Sequence, residues 1–246
     1  MIPMRRTPVF VVMFIILVML GATMALAQDH DLILRAEFSV DLSSPPSVPA
    51  FDGVVDPAYV ARIPDGEAAA ALLSEARWCF GGMIWGFDYV YTPSDKSRAI
   101  VELFKLDPRW SDTANKLDIK PVSVRLDATV LLSEVECYPD AQQRRELDSW
   151  RMASTAEQGT GSAPALGREQ ERATQAVIEA KREALNAAVR EALRSYLREV
   201  THNKPREVRG SCAFAQAPRL FMKEGQWIAI VRIYARVDEI VSYGVY

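Results

Sequence analysis

Histidine is almost absent from this chain. Of its 246 residues only His30 and His202 carry an imidazole, one near the start and one beside a proline stop. That removes the usual base for an activated serine or cysteine, and no Gly-x-Ser-x-Gly turn occurs. Cysteine is scarce as well: Cys79, Cys137 and Cys212 lie too far apart in sequence for metal-ligand spacing. Gly81, Gly82 and Gly86 fit neither a dinucleotide-binding nor a Walker pattern, and no Lys-Ser or Lys-Thr pair follows a glycine loop. Basic charge is lacking too. A formal charge of −3 leaves no broad basic surface for nucleic acid. Together these gaps point to a non-enzymatic protein with no metal site, no cofactor and no nucleic-acid partner.

What the chain does have begins with a leader. Arg5 and Arg6 precede an unbroken apolar run from Val9 to Leu20, and Ala25-Leu26-Ala27 forms a small-x-small cleavage site. The run is about half as long as a membrane span needs. Residues 1–27 therefore read as a cleaved signal peptide and the protein as exported, periplasmic or associated with the cell envelope. An uncleaved segment reaching Ala27 is the alternative, and the one route by which this reading involves a membrane. Gln28 stands where a lipoprotein has its acylated Cys.

Composition is that of a globular protein, 49% hydrophobic and 25% charged. Residues 31–42 alternate: Leu34, Ala36, Phe38 and Val40 face one way, Arg35, Glu37, Ser39 and Asp41 the other, which predicts a strand with one buried side. Residues 43–64 hold five prolines and form a long connection. Asp65 caps a short helix to Arg77. The aromatic stretch 78–91 reads as a strand with Met83, Trp85, Phe87, Tyr89 and Tyr91 on one face. Two uses compete for that stripe: a platform for a small ligand or glycan built from Trp85, Phe87, Tyr89 and Tyr91, or the seat of a helix.

A return strand follows at 99–106. A long alternating strand at 119–133 puts Val122, Val124, Leu126, Ala128, Val130 and Leu132 on one face, and ends in Glu134 and Glu136 as a solvated tail. Asp140 opens a polar helix to Ala153 anchored by Leu147 and Trp150. Residues 154–167, with Gly159, Gly161, Ser162, Pro164 and Gly167, read as a flexible linker.

The strongest signal is a helix over 168–200. Ala180, Ala184, Ala188 and Ala192 recur every four residues, widened by Leu185, Val189, Leu193 and Leu197. Glu179 and Glu191 each precede an arginine by three, so Arg182 and Arg194 gain partners on the solvated side. So much alanine implies close approach to a flat partner. Two strands supply one: Val208 to Phe214, ended by Pro218, then Trp227 to Val237 after a turn at Lys223-Glu224-Gly225-Gln226.

In an exported protein the three cysteines allow one disulfide and one free thiol, in three pairings. Cys79 with Cys137 is the pairing to try first, since one opens a strand and the other closes one. Three buried thiols acting as small apolar residues are the competing state.

Two strands cannot bury so wide a helical stripe, so the earlier strands complete their sheet. The expected fold is α+β: one domain, 28–246, with a mainly antiparallel sheet of five to six strands packed by the long helix and shorter ones. The run Glu179-Ala180-Lys181-Arg182-Glu183-Ala184-Leu185, continued by Ala188, Ala192, Leu193 and Gly210 into the last strands, resembles small exported α+β modules. Such modules occur in bacterial envelope lipoproteins and in accessory proteins of the flagellar outer-membrane ring. The resemblance spans about a third of the chain, lacks the lipidation Cys and transfers no site residue. It implies a structural or assembly role with a protein partner in the envelope. A small-ligand or glycan binder is the alternative, and an enzyme the third.

Overall fold

The computed structural model describes residues 32–42, 65–110, 116–127, 130–153, 156–165, 173–201 and 204–243. The leader at 1–27, the proline-rich stretch 43–64, His30 and His202 lie outside them. The class is α+β, as expected. In chain order the elements are β1 (Leu34–Asp41), α1 (Asp65–Ile84), β2 (Phe87–Thr92), β3 (Leu103–Pro108), β4 (Ile119–Asp127) and β5 (Val130–Cys137). Then come α2 (Ala141–Ala153), β6 (Ala156–Pro164), α3 (Ala173–Val200), β7 (Glu207–Phe214), β8 (Arg219–Lys223) and β9 (Gln226–Val241). Among the described residues no helix is long and apolar enough to cross a membrane.

The strands divide between two sheets, where one was expected. A three-stranded sheet has the order β1-β5-β4; a six-stranded sheet runs β3-β2-β7-β9-β6, with β8 also on β9. Every pairing is antiparallel.

The stretch taken for a linker is β6, paired with β9 from Ala156 opposite Tyr234 to Pro164 opposite Gln226. Its glycines are there for space. A Cβ on Gly159 would lie 2.1 Å from the Ala188 carbonyl oxygen, and one on Gly161 would lie 2.2 Å from the Ala188 nitrogen. Strand backbone therefore rests directly on α3 along Ala184, Ala188 and Ala192, all fully buried. Leu185, Val189 and Leu193 are also buried, each contributing about 1.5–3 kcal/mol relative to exposure.

The expected strand at 78–91 is also corrected. Helix α1 continues through Trp78, Gly81 and Gly82 to Ile84, and only Phe87–Thr92 is strand. Glycine inside a helix costs about 1 kcal/mol against alanine, but here aromatic rings fill the notch. The Trp110 ring sits where a Gly81 Cβ would be, at 2.6 Å, and Phe87 and Phe214 crowd the Gly82 position at 2.7 Å. Gly86, at φ +77°, turns the chain out of the helix into β2. The neighbouring rings interlock: Phe87 meets Phe214 and Trp110, each at 5.2 Å, and Phe38 of β1 meets Phe80 at 5.8 Å.

The long strand expected at 119–133 is a hairpin, with Leu126 opposite Leu131 and Asp127 opposite Val130. The reversal shifts the parity, so Val124 and Leu126 share a face with Leu131, Ser133 and Val135, not with Val130 and Leu132. Helix α1 covers that face at β1 and β5. On the edge strand β4, Val124 and Leu126 stay 64% and 54% exposed. Glu134 and Glu136 fall on the opposite, polar face beside Arg35. Glu136 is no solvated tail: it is buried, with Arg35 Nε at 2.6 Å and the Tyr138 hydroxyl donating to its other oxygen.

Helix α2 starts as expected. Asp140 accepts from the Gln142 and Gln143 amides, both at 2.8 Å, and Gln143 accepts from the Asp140 amide at 3.0 Å. Trp150, its buried anchor, donates to the Ile84 carbonyl at 3.1 Å and so satisfies the end of α1. The turn at Glu224-Gly225, with φ of 52° and 72°, has the form of a two-residue hairpin loop. It joins β8 to β9, not β7 to β9 as expected.

Candidate functional site

The Ala and Leu stripe fixes which way α3 faces, and thereby places Asn186, Arg190, Arg194 and Arg198, four residues apart, in one row on its flank. That row lines a groove. At the C-terminal end of α3 a recess of about 460 Å³ is bounded by Arg194, Leu197, Arg198, Thr201 and Lys204 together with Tyr91 and Glu102. A second, of about 370 Å³, shares Glu102 and lies among Leu103, Phe104 and Leu106 of β3, Ser162 of β6, and Asn186 and Arg190 of α3. A third, of about 330 Å³, adjoins it at Ser162 and Arg190. The outermost strands of the larger sheet, β3 and β6, thus both border the groove, with α3 as its floor.

Arg194 is fully committed. Its Nε donates to Glu102 at 2.8 Å, a second nitrogen binds the other Glu102 oxygen, and a third donates to Glu191 at 2.9 Å. The Glu191 contact is the pair expected from spacing. The Tyr91 hydroxyl also donates to Glu102, at 2.8 Å. Burial alone would raise the Glu102 carboxyl, but the bonds from Arg194 and Tyr91 outweigh it and hold the group below its ordinary range. Tyr91 moves up, through burial and its bond to that carboxylate. With Glu102 and Glu191 occupied by Arg194, neither Arg190 nor Arg198 is bonded to a carboxylate among the described residues. The same holds for Lys204 at the groove's end.

At the adjoining corner Asp95 is held down to about 2 by hydrogen bonds from the Ser97 hydroxyl and Arg98, with the Ser97 amide adding to them. The Asp95 backbone bridges to Ile100 at 2.9 Å in both directions. This closed turn sets the start of β3.

The aromatic platform is not at a surface. Phe87, Tyr89 and Tyr91 are buried, and Trp85 is half-buried on the turn after α1, 6.2 Å from Trp110. Only Tyr91 reaches the groove. Tyr89 donates to the Arg236 carbonyl at 3.0 Å, a contact made possible by Gly210, where a Cβ would meet its hydroxyl at 2.6 Å. The stripe is therefore core.

Cys79, Cys137 and Cys212 are buried and unbonded to one another, with Cys79 inside a helix, so the Cys79–Cys137 disulfide is not formed. Burial raises all three thiols, Cys137 to about 12. No group of three or more His, Cys, Asp or Glu among the described residues is placed to hold a metal ion.

Glu102, Arg190 and Arg198 went unnoticed in the sequence. The arginines carried a signal, two like charges either side of Arg194 at a spacing that costs an isolated helix stability. Glu102 carried none, because its partners lie far away in the chain.

A protein-family model matches residues 22–243. The chain belongs to that family. One relative, an uncharacterized protein of Treponema pallidum (strain Nichols), is 28% identical over 171 residues, 68% of this chain and 66% of the relative. The chain thus spans about two thirds of the length of that relative. No solved structure matches.

Proposed function

We propose that this is an exported protein of the cell envelope that works by binding a protein partner, not by catalysis, and that the groove between α3 and β3 receives that partner. The observation that carries the reading is the row of arginines along an open groove, with Arg190 and Arg198 bonded to no carboxylate among the described residues. Charges held in such a place favour a complementary surface and speed its arrival. The leader at 1–27 and the resemblance to exported modules support the location. The paired ionic groups support binding over chemistry: half-buried Glu102 is occupied by Arg194 and Tyr91, Arg194 by Glu102 and Glu191, and buried Glu136 by Arg35 and Tyr138.

A photo-reactive residue placed at Leu103 or Asn186 in growing cells tests this, with Asp148 on α2 as the control position. The expected result is a defined adduct in the envelope fraction from the two groove positions and none from Asp148. Equal adducts at all three, or protein retained in the cytoplasm, would sink the reading.

A further inference from the structure

Resting on that reading, we propose that the partner enters as an extended acidic segment, adding a strand to the open edge of β3 and laying its carboxylates on Arg190 and Arg198. Among the described residues, strand β3 hydrogen-bonds to β2 alone. Which of its amides remain for a newcomer follows from two facts. Pro108, opposite Phe87, has no N–H, and the Arg109 amide donates to the Gly86 carbonyl at 3.2 Å. Odd-numbered residues therefore point their amides at β2, and Phe104 and Leu106 point theirs outward. Those two residues line the recess that also holds Arg190 and Asn186. Leu103 and Phe104, on opposite faces of the strand, line it together, so the recess runs along the strand edge. The outward amides of β3 and Arg190, bonded to no carboxylate among the described residues, thus face one space, and Arg198 lines the next recess, joined to it at Glu102.

The edge is poorly guarded. Native edge strands are blunted by proline, bulges or free lysine, and β4 shows this with Pro121 and an irregularity between Pro121 and Ser123. In β3, Lys105 is drawn to Asp107 at 2.6 Å and Pro108 closes only the last position. Leu103 and Val101, 60% and 83% exposed, offer apolar contact at the entrance. Length fits a chain better than a small anion: from Glu183 to Val200 the helix runs about 26 Å, the span of about eight extended residues. In β-augmentation the main chain supplies affinity and alternate side chains supply specificity. Here the alternate positions are selected for negative charge, with Glu183 repelling it at the far end.

A fluorescein-labelled octapeptide of alternating Glu and Val, titrated with the purified protein by anisotropy, tests this. The peptide is expected to bind, and its Lys-Val counterpart not to. Methylating alternate backbone nitrogens leaves the charge intact and should weaken binding at least about tenfold, as should R190E/R198E, whose unfolding midpoint should match the wild type. Equal competition by polygalacturonate or by the methylated peptide would overturn strand addition in favour of a charged surface. Failure of the Glu-Val peptide at about 1 mM, a binding energy of only about 4 kcal/mol, would overturn the proposal outright. Cross-linking from Leu103 in cells judges the broader reading separately, and adducts there with no peptide binding would remove only the strand-addition claim.

Discussion

Lys181 and Glu75 form a buried ion pair, Nζ to Oε2 at 2.7 Å, with side chains 3% and 11% exposed. Lys181 also donates to the Ser39 carbonyl at 2.6 Å and sits 4.8 Å from the Trp227 ring. One ammonium thus ties α3 to α1, to β1 of the smaller sheet and to β9 of the larger. Removing one partner of such a pair strands the other charge away from water, at a typical cost of about 3–5 kcal/mol. Lys181→Met should lose about that much in urea unfolding, and the double variant K181M/E75L should lose less than the two single changes added together. Strict additivity would mean the pair is not coupled.

Glycine spacing in β6 makes a sharper claim on packing. Gly161→Ala drives a methyl into the α3 backbone and should cost about 3 kcal/mol, the upper range for overpacking. Gly66→Ala, with nothing within 4 Å of the added atom, should be neutral or stabilising by up to about 1 kcal/mol. Thermal unfolding of both variants checks this, and similar losses would remove the close helix–strand approach.

Glu102 gives a pH signature. Its carboxyl is depressed in the folded state, so its contribution is present above the unfolded value of about 4.5 and fades as pH falls through the lower folded value. Glu102→Gln should cost about 1.5–3 kcal/mol at neutral pH, the range for hydrogen bonds to charged groups. The gap from wild type should narrow below pH ~4. A gap unchanged down to pH ~3 would mean the Arg194 and Tyr91 bonds do not hold that carboxylate.

The thiols should be silent until the protein unfolds. All three are buried with raised values, and it is the thiolate that reacts. At mildly alkaline pH a thiol reagent should label none of Cys79, Cys137 and Cys212 in the native protein and all three in guanidinium without reductant. A single reactive thiol under denaturing conditions would restore the disulfide. Since a raised value favours the protonated fold, the Cys137 contribution holds below pH ~9 and is lost as pH climbs toward about 12.

How far the sequence could be read depends on where each residue's reason lies. β1 was legible because its alternation answers to one buried face, and α2 because Asp140 and Gln143 sit within one turn. The alanine stripe of α3 correctly announced a close flat partner. The partner itself was hidden: Gly159 and Gly161 look like linker residues until Ala188 is laid against them. Gly81 and Gly82 look like helix breakers until Trp110, Phe87 and Phe214 occupy their notches. Between Asp127 and Val130 the chain doubles back, which moves Val130 and Leu132 to the other face, and Val124 and Leu126 stay exposed because β4 is the edge strand, beyond the part of that face that α1 covers. The groove was least legible, since its parts come from β2, β3, β6 and α3 and meet only in the fold.

Those exposed β4 residues carry their own expectation. Val124→Thr and Leu126→Gln should change stability by no more than about 0.5 kcal/mol, as surface substitutions do. Val135→Ala, on the covered part of the same face, should cost about 2 kcal/mol or more. Equal costs would place β4 in the core.

The central claim is that the partner occupies the groove along β3, and amide hydrogen exchange of the protein alone and in its cross-linked envelope complex tests it most directly. The account predicts that the Phe104 and Leu106 amides become strongly protected in the complex while those of α2 do not change. Protection confined to other surfaces, with Phe104 and Leu106 exchanging as in the free protein, would contradict it.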